Sequence, residues 1–275
     1  MGQRVKFWSL NLFTKSLNKI TQNYMIFPDF LKEFESDLLK YKLDFIKIEA
    51  KPIEKETILN FTQSKFLGKP YLPIGFEYPK DNSGKPMVLL AQLNFSEIPR
   101  LENYPEKGIL QFYIPSEDWY DMDDYKIIYH EEIKNHETDF NFLTEDLYED
   151  FPVYCEHTLS FSKLEEYGGT EDFRFDYSFN DLDYWEFQEN LNKSQQEEMN
   201  KFFYNIGHKI GGYAYFTQSD PRDYDINSKN DILLFQIDTD EEIMFGDSGV
   251  ANFFINKDDL INKRFEKAYF NWDCC

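Results

Sequence analysis

The sequence predicts an α+β fold, an internally duplicated and mostly antiparallel sheet with a few packed helices. Three observations carry this. MVLLAQLNF (87–95) is echoed by DILLFQIDT (231–239) at an offset of 144, which aligns Leu89, Leu90 and Gln92 with Leu233, Leu234 and Gln236. Gly68 stands 24 residues before Gln92, and Gly212 stands 24 before Gln236, so a glycine turn precedes an apolar strand twice. Strands that follow one another through loops of this length favour antiparallel pairing.

Taken in order, residues 1–27 read as an N-terminal extension with at most a short helix. After Pro28, Phe30, Leu31, Phe34, Leu38 and Leu39 recur at helical spacing and predict a helix over 29–42. Phe45, Ile46 and Ile48 predict a strand ended by Pro52. Ile58, Leu59, Phe61 and Phe66 form a helical stripe, giving a helix over 54–66 stopped by Gly68. The prolines and glycines of 68–86 require an irregular loop.

Residues 87–95 then alternate, with Leu89, Ala91, Leu93 and Phe95 on one face and Leu90, Gln92 and Asn94 on the other. Strands over 108–114 and 125–129 follow. Ser162 and Glu165 have capping-box spacing for a short helix ending at Gly168, and Ser194 and Glu197 open a helix that places Met199, Phe202, Phe203 and Ile206 on one side. Gly211 and Gly212 lead into a strand over 213–217. Strands over 232–238 and 249–255, a helix over 257–262 and a strand over 265–271 end the chain. Gly108 and Gly249 open matching strands at an offset of 141, a three-residue shortening of the intervening loop. The domain organisation is therefore a single domain over 28–275, with related halves at about 54–131 and 194–271 joined by an acidic, aromatic-rich segment, 132–193.

The 275 residues include 28 Phe, 19 Tyr and 4 Trp, enough apolar area for a core without disulfides or metal. The net charge of −22 is uneven: residues 117–189 hold 23 acids and 4 bases and carry −19 of it. Such a surface repels phosphate backbones and anionic lipids, so neither nucleic acid nor membrane is an expected partner, whereas a basic protein fits. The same segment interleaves its acids with 18 aromatic residues, a composition that folds with rings inward and carboxylates outward. No apolar run has the roughly 20 residues of a membrane span, and the expected location is the cytoplasm. Cys155, Cys274 and Cys275 offer no spaced pair, as in a reducing compartment, and the terminal cysteines read as a reduced tail near Trp272.

No complete catalytic set is present. Gly246, Asp247, Ser248 and Gly249 resemble the nucleophile segment of trypsin-like serine proteases, but Val250 stands where a further glycine belongs and no histidine sits in that family's motif. The segment reads as a tight turn. His130, Glu131, Glu132, His136, Glu137, Cys155 and His157 lie close in sequence without metal-site spacing, and the Asp223 to Asp231 run lacks the glycine and glutamate of a calcium loop. No phosphate-binding glycine loop occurs. No metal and no cofactor are expected. Gln92 and Gln236, polar groups on apolar strands, either line a cleft between the halves or satisfy loop backbone.

SKFLGKPYLP (64–73), PMVLLAQLNFSEIP (86–99), GILQFYI (108–114), HKIGGYAYFTQSDP (208–221), DILLFQID (231–238), GDSGVANFFI (246–255) and NWDC (271–274) together resemble the YwqG-like family of bacterial domains of unknown function. The resemblance spans roughly 30–275. It implies a duplicated α+β fold in a bacterial cytoplasmic protein and no established reaction, cofactor or catalytic residue. The long acidic middle departs from it. The expectation is a non-enzymatic binding protein, holding either a basic protein in the manner of an immunity protein or antitoxin, or a small ligand between the halves through Gln92, Gln236, Asp247 and Trp272. The alternative is a hydrolase or other enzyme at the same cleft.

Overall fold

The computed structural model describes residues 27–54 and 57–274; the expected N-terminal extension, apart from Phe27, lies outside them. Ten strands make one sheet: β1 Leu43–Pro52, β2 Lys65–Phe66, β3 Val88–Asn94, β4 Ile109–Ile114, β5 Lys126–His130, β6 His157–Glu166, β7 Lys209–Gly211, β8 Asp231–Asp238, β9 Val250–Asn256 and β10 Tyr269–Asp273. Their spatial order is β10-β9-β8-β7-β1-β6-β2-β3-β4-β5, and every neighbouring pair is antiparallel. Helices are few and short: α1 Glu35–Leu38, flanked by 3-10 turns, α2 Tyr184–Glu189, α3 Lys193–Phe203 and α4 Lys257–Ile261. This is the α+β, antiparallel class that the sequence predicts. Among the described residues no helix is long and apolar enough to cross a membrane.

The sheet curls until its two wings meet face to face. Phe112 of β4 lies 4.9 Å from Phe235 of β8 and 4.5 Å from Phe253 of β9, ring centre to ring centre, and one core cluster runs through both wings. Each such ring withdrawn from water contributes on the order of 1.5–3 kcal/mol. Strand β3 does not alternate as expected, because a bulge between Leu89 and Ala91 turns Leu90 inward beside Ala91 and Leu93 while Leu89 joins Gln92 on the outer face. Strand β8 carries the same bulge between Leu233 and Phe235, 144 residues on.

The outer face of each wing is covered by irregular chain tied down by one side-chain amide. Gln92 donates from Nε2 to Phe61 O and Gln63 O, both at 2.7 Å, and its Oε1 accepts from Tyr71 N–H at 2.8 Å. Gln236 repeats this at the same offset: Nε2 to Asn205 O (3.1 Å) and Gly207 O (2.7 Å), and Oε1 from Tyr215 N–H (2.8 Å). One strand further out, Gln111 donates to Tyr71 O and Asn252 to Tyr215 O.

These bonds explain why no helix forms before Gly68. The carbonyls of Phe61, Thr62 and Gln63 serve Gln92 and Asn94, so the chain there is a turn, and only Lys65–Phe66 is regular, as β2. Residues 55 and 56 of that expected helix lie outside the described residues. The helix expected from Ser162 and Glu165 is instead β6, which pairs with β1 along ten residues. The cap of α3 is Asn192 with Gln195, and Ile206 falls beyond the helix at 66% exposure. Near Gly211 the strand precedes the glycines rather than following them, because β7 must pair with β1. The last strand starts at Tyr269, after a 3-10 turn over Phe265–Lys267.

A separate cluster packs α3 against the first helical turns: Leu31, Phe34 and Leu38 meet Phe179, Met199 and Phe203. The acidic segment buries Phe140, Phe151 and Phe179 and half-buries most of its other rings, with Tyr120, Phe142, Tyr154 and Trp185 exposed, while most of its carboxylates stay exposed. Across β1, Lys209 of β7 reaches Glu166 of β6 over the ring of Phe45, 4.7 Å from the ammonium, and both charged groups are buried.

Gln92→Leu should lower unfolding free energy in urea by about 3 kcal/mol or more, since it strands one amide N–H and two carbonyls at a cost of about 1–3 kcal/mol each. Glu166→Gln should cost about 3–5 kcal/mol by the same measurement, because Lys209 is left as a buried charge without its counterion.

Candidate functional site

Strand β7 ends at Gly211, which with Gly212 has φ of 71° and 76°, a left-handed pair that side chains rarely adopt. A Cβ on Gly212 would collide with the Glu166 carboxylate and with Phe45, so the bare backbone is what allows the chain to turn over the buried Lys209–Glu166 pair. Glu166 Oε2 accepts from Tyr213 N–H at 2.9 Å, fixing the exit of the turn.

Above this turn stands Arg174. Its Nε and Nη2 bind the two oxygens of Asp172 at 2.8 and 2.5 Å, Nη2 also donates to Gly212 O at 2.7 Å, and its guanidinium lies 5.0 Å from the Tyr213 ring centre. Asp172 is fully buried and held from behind by Arg222, whose guanidinium also grips Asp220 and packs 4.4 Å from the Phe254 ring centre. Burial alone would raise the Asp172 pKa, but two arginines and the Ala214 N–H hold it well below the usual carboxylate range. The planar Arg174 fork is thus immobilised, with Nη1 making no hydrogen bond among the described residues.

The first wing supplies the opposite wall. After β3 the chain makes a turn in which Asn103 has φ of 71°, and the Tyr104 hydroxyl donates to Leu233 O of β8 at 2.6 Å. That bond pins the two wings together across a cavity of about 440 Å³. Lys42 and Asp44 at the start of β1, Glu102, and Lys257 at the start of α4 complete its polar lining with Arg174. Lys42 pairs with Glu165 at 2.5 Å, whereas Lys257 is exposed and has no carboxylate within 4.0 Å among the described residues. Of the three lining cations, Lys42 and Arg174 are already paired with Glu165 and Asp172, which leaves Lys257 as the one without a carboxylate among the described residues.

None of the four residues singled out by sequence lines this cavity. Gln92 and Gln236 are fully buried and saturated by loop backbone. Asp247 is exposed in the β8–β9 turn, and Trp272 on β10 rests 5.0 Å from Trp119 while its Nε1 donates to Tyr120 O. Sequence reasoning missed Arg174, Lys257 and Tyr104. Arg174 left one trace, as one of only four bases in the acidic segment.

The histidine-rich stretch does not converge: among the described residues no three His, Cys, Asp or Glu side chains are placed to share a metal ion. His130 sits between the rings of Tyr71 and Phe76 with Nε2 3.1 Å from Gln111 Oε1, and burial lowers its pKa to about 4. His157 is buried, 4.0 Å from the Cys155 thiol, and burial likewise lowers its pKa while raising that of the thiol. His208 accepts from Asp238 N–H at Nδ1, which directs its Nε2–H to Asp240.

No curated protein matches the chain. A comparison with family profiles matches residues 64–274, from β2 through the sheet to the end of β10 and so including Gly211, Gly212, Arg174 and Tyr104. The chain belongs to the family described as Domain of unknown function (DUF1963).

Proposed function

We propose that this is a YwqG-like bacterial cytoplasmic protein, built from two copies of one unit, that binds a small anionic ligand in the cavity between its wings. The observation that carries the reading is the cavity-lining Arg174 guanidinium, locked by Asp172 and Gly212 with Nη1 unengaged among the described residues. A pre-oriented fork binds a carboxylate or phosphate without losing further side-chain freedom. Lys257 adds a mobile charge at the rim, and Gly211 and Gly212 let the ligand approach backbone. No serine, threonine, cysteine or histidine lines the cavity among the described residues, which favours binding over covalent hydrolysis. Support for two copies comes from the glutamine bonds, bulges and left-handed turns that recur at the offset of 144.

A second reading, capture of a basic protein partner, is favoured by the exposed carboxylates of the acidic segment, whose field would accelerate encounter. The two readings occupy different surfaces and are compatible.

Titration calorimetry with inorganic phosphate, citrate and glutamate tests the first reading. At least one should bind, with affinity reduced about tenfold by Lys257→Glu, a surface change that leaves the Arg174 network intact. Absence of binding by all three, or affinity unchanged in Lys257→Glu, would overturn it.

A further inference from the structure

A second cavity, of about 590 Å³, lies at the corresponding place in the other wing. Its floor is Leu67 and Gly68, whose φ of 60° and 85° match the left-handed pair Gly211 and Gly212 at the offset of 144. Strand register extends the correspondence. Lys65 faces Thr158 as Lys209 faces Lys47, so two residues earlier Glu156 takes the place of Phe45. In one wing the glycine lies against the Cβ of Phe45 and the Glu166 carboxylate, which Lys209 pairs; in the other it lies against the Glu156 carboxylate: a Cβ on Gly68 would come 2.6 Å from Glu156 Oε2.

Glu156 is only partly exposed, yet among the described residues its carboxylate makes no hydrogen bond and has no ammonium or guanidinium within 4 Å. The nearby Lys65 ammonium is occupied by Asn60 O at 2.6 Å and Lys69 O at 3.0 Å. Burial raises the Glu156 pKa, against the smaller pull of Lys65 and Lys69. A desolvated carboxylate with no donor is an unfavourable arrangement that a ligand cation relieves. Around it stand Leu67 and Leu143, the rings of Tyr148 and Tyr154, the latter 58% exposed, and three exposed charged residues, Glu54, Lys69 and Glu145, two acids to one base. Aliphatic wall, aromatic faces and a half-buried acid without a partner among the described residues are the complement of an alkylammonium group.

We propose that this cavity is a binding site for a small organic amine, its ammonium on Glu156 and its alkyl chain along Leu67 and Leu143 between the two tyrosines. The site is separate from the anion cavity and does not rest on that reading. Binding requires the ionised carboxylate, so affinity falls as pH drops through the raised Glu156 pKa. Titration calorimetry with pentylamine and cadaverine, and with pentanol as the uncharged counterpart, provides the test. Both amines should bind and pentanol should not. Glu156→Gln, which breaks no side-chain hydrogen bond or ion pair among the described residues, should weaken the amines about tenfold or more. Glu156→Asp should weaken them less, and Glu149→Gln, which removes an exposed acid elsewhere, should leave affinity unchanged. Equal binding of pentanol, no loss in Glu156→Gln, or an equal loss in Glu149→Gln would overturn the proposal, the last by showing diffuse attraction to an acidic surface.

Discussion

Backbone polar groups taken out of water must find partners, and in this fold two irregular cover segments find theirs on glutamine side chains. Gln92 and Gln236 each replace a missing strand, offering one acceptor and two donors to chain that has no ladder of its own. The rest follows from that anchoring. It fixes the approach of residues 60–71 and 205–215 to the sheet, and the left-handed turns at Leu67 and Gly68 and at Gly211 and Gly212 fall within those segments. Both cavities are floored by these turns, so an amide buried on the outer face determines where ligand-sized space opens.

The charge arrangement is built on the same frame. The Lys209–Glu166 pair and the Asp172, Arg174, Asp220 and Arg222 network are buried beside the second turn, and a buried ion network favours one geometry more than it adds stability. Here it holds a guanidinium still. The first wing lacks that network: Phe76 stands where the offset places Asp220, and Lys65 turns to backbone carbonyls instead of a carboxylate. Similar backbones therefore frame chemically opposite cavities.

Much of the sheet was legible because β3, β4, β8 and β9 combine apolar runs with flanking glycines, and because Gln92 and Gln236 repeat at a fixed offset. What escaped has physical causes. Strand β6 carries Ser160, Ser162 and Lys163 on an exposed central stretch, and its partner β1 lies more than a hundred residues away, so local pattern says little. The helical stripe before Gly68 was genuine spacing, overridden by the demand of Gln92 and Asn94 for those carbonyls. The bulge at Leu90 reverses face assignments without altering composition. Of the cleft, Gly212 could be read as a turn, but Arg174 acquires its setting only through the burial of Asp172 between two arginines, a tertiary fact.

The order of the strands also constrains how the chain can be made. Strand β1 is translated first, yet it lies between β7 and β6, and β2 lies against β6 rather than against β1. Nothing in the first 150 residues can therefore assemble the centre of the sheet, and β1 stays an unpaired edge until residues 157–166 and then 209–211 have emerged. High sequence separation of this kind slows closure and leaves an open strand available to other chains. On the ribosome, the first wing closes onto β1 only when β6 has emerged, and the second wing then builds outward from the remaining edge of β1 through β7.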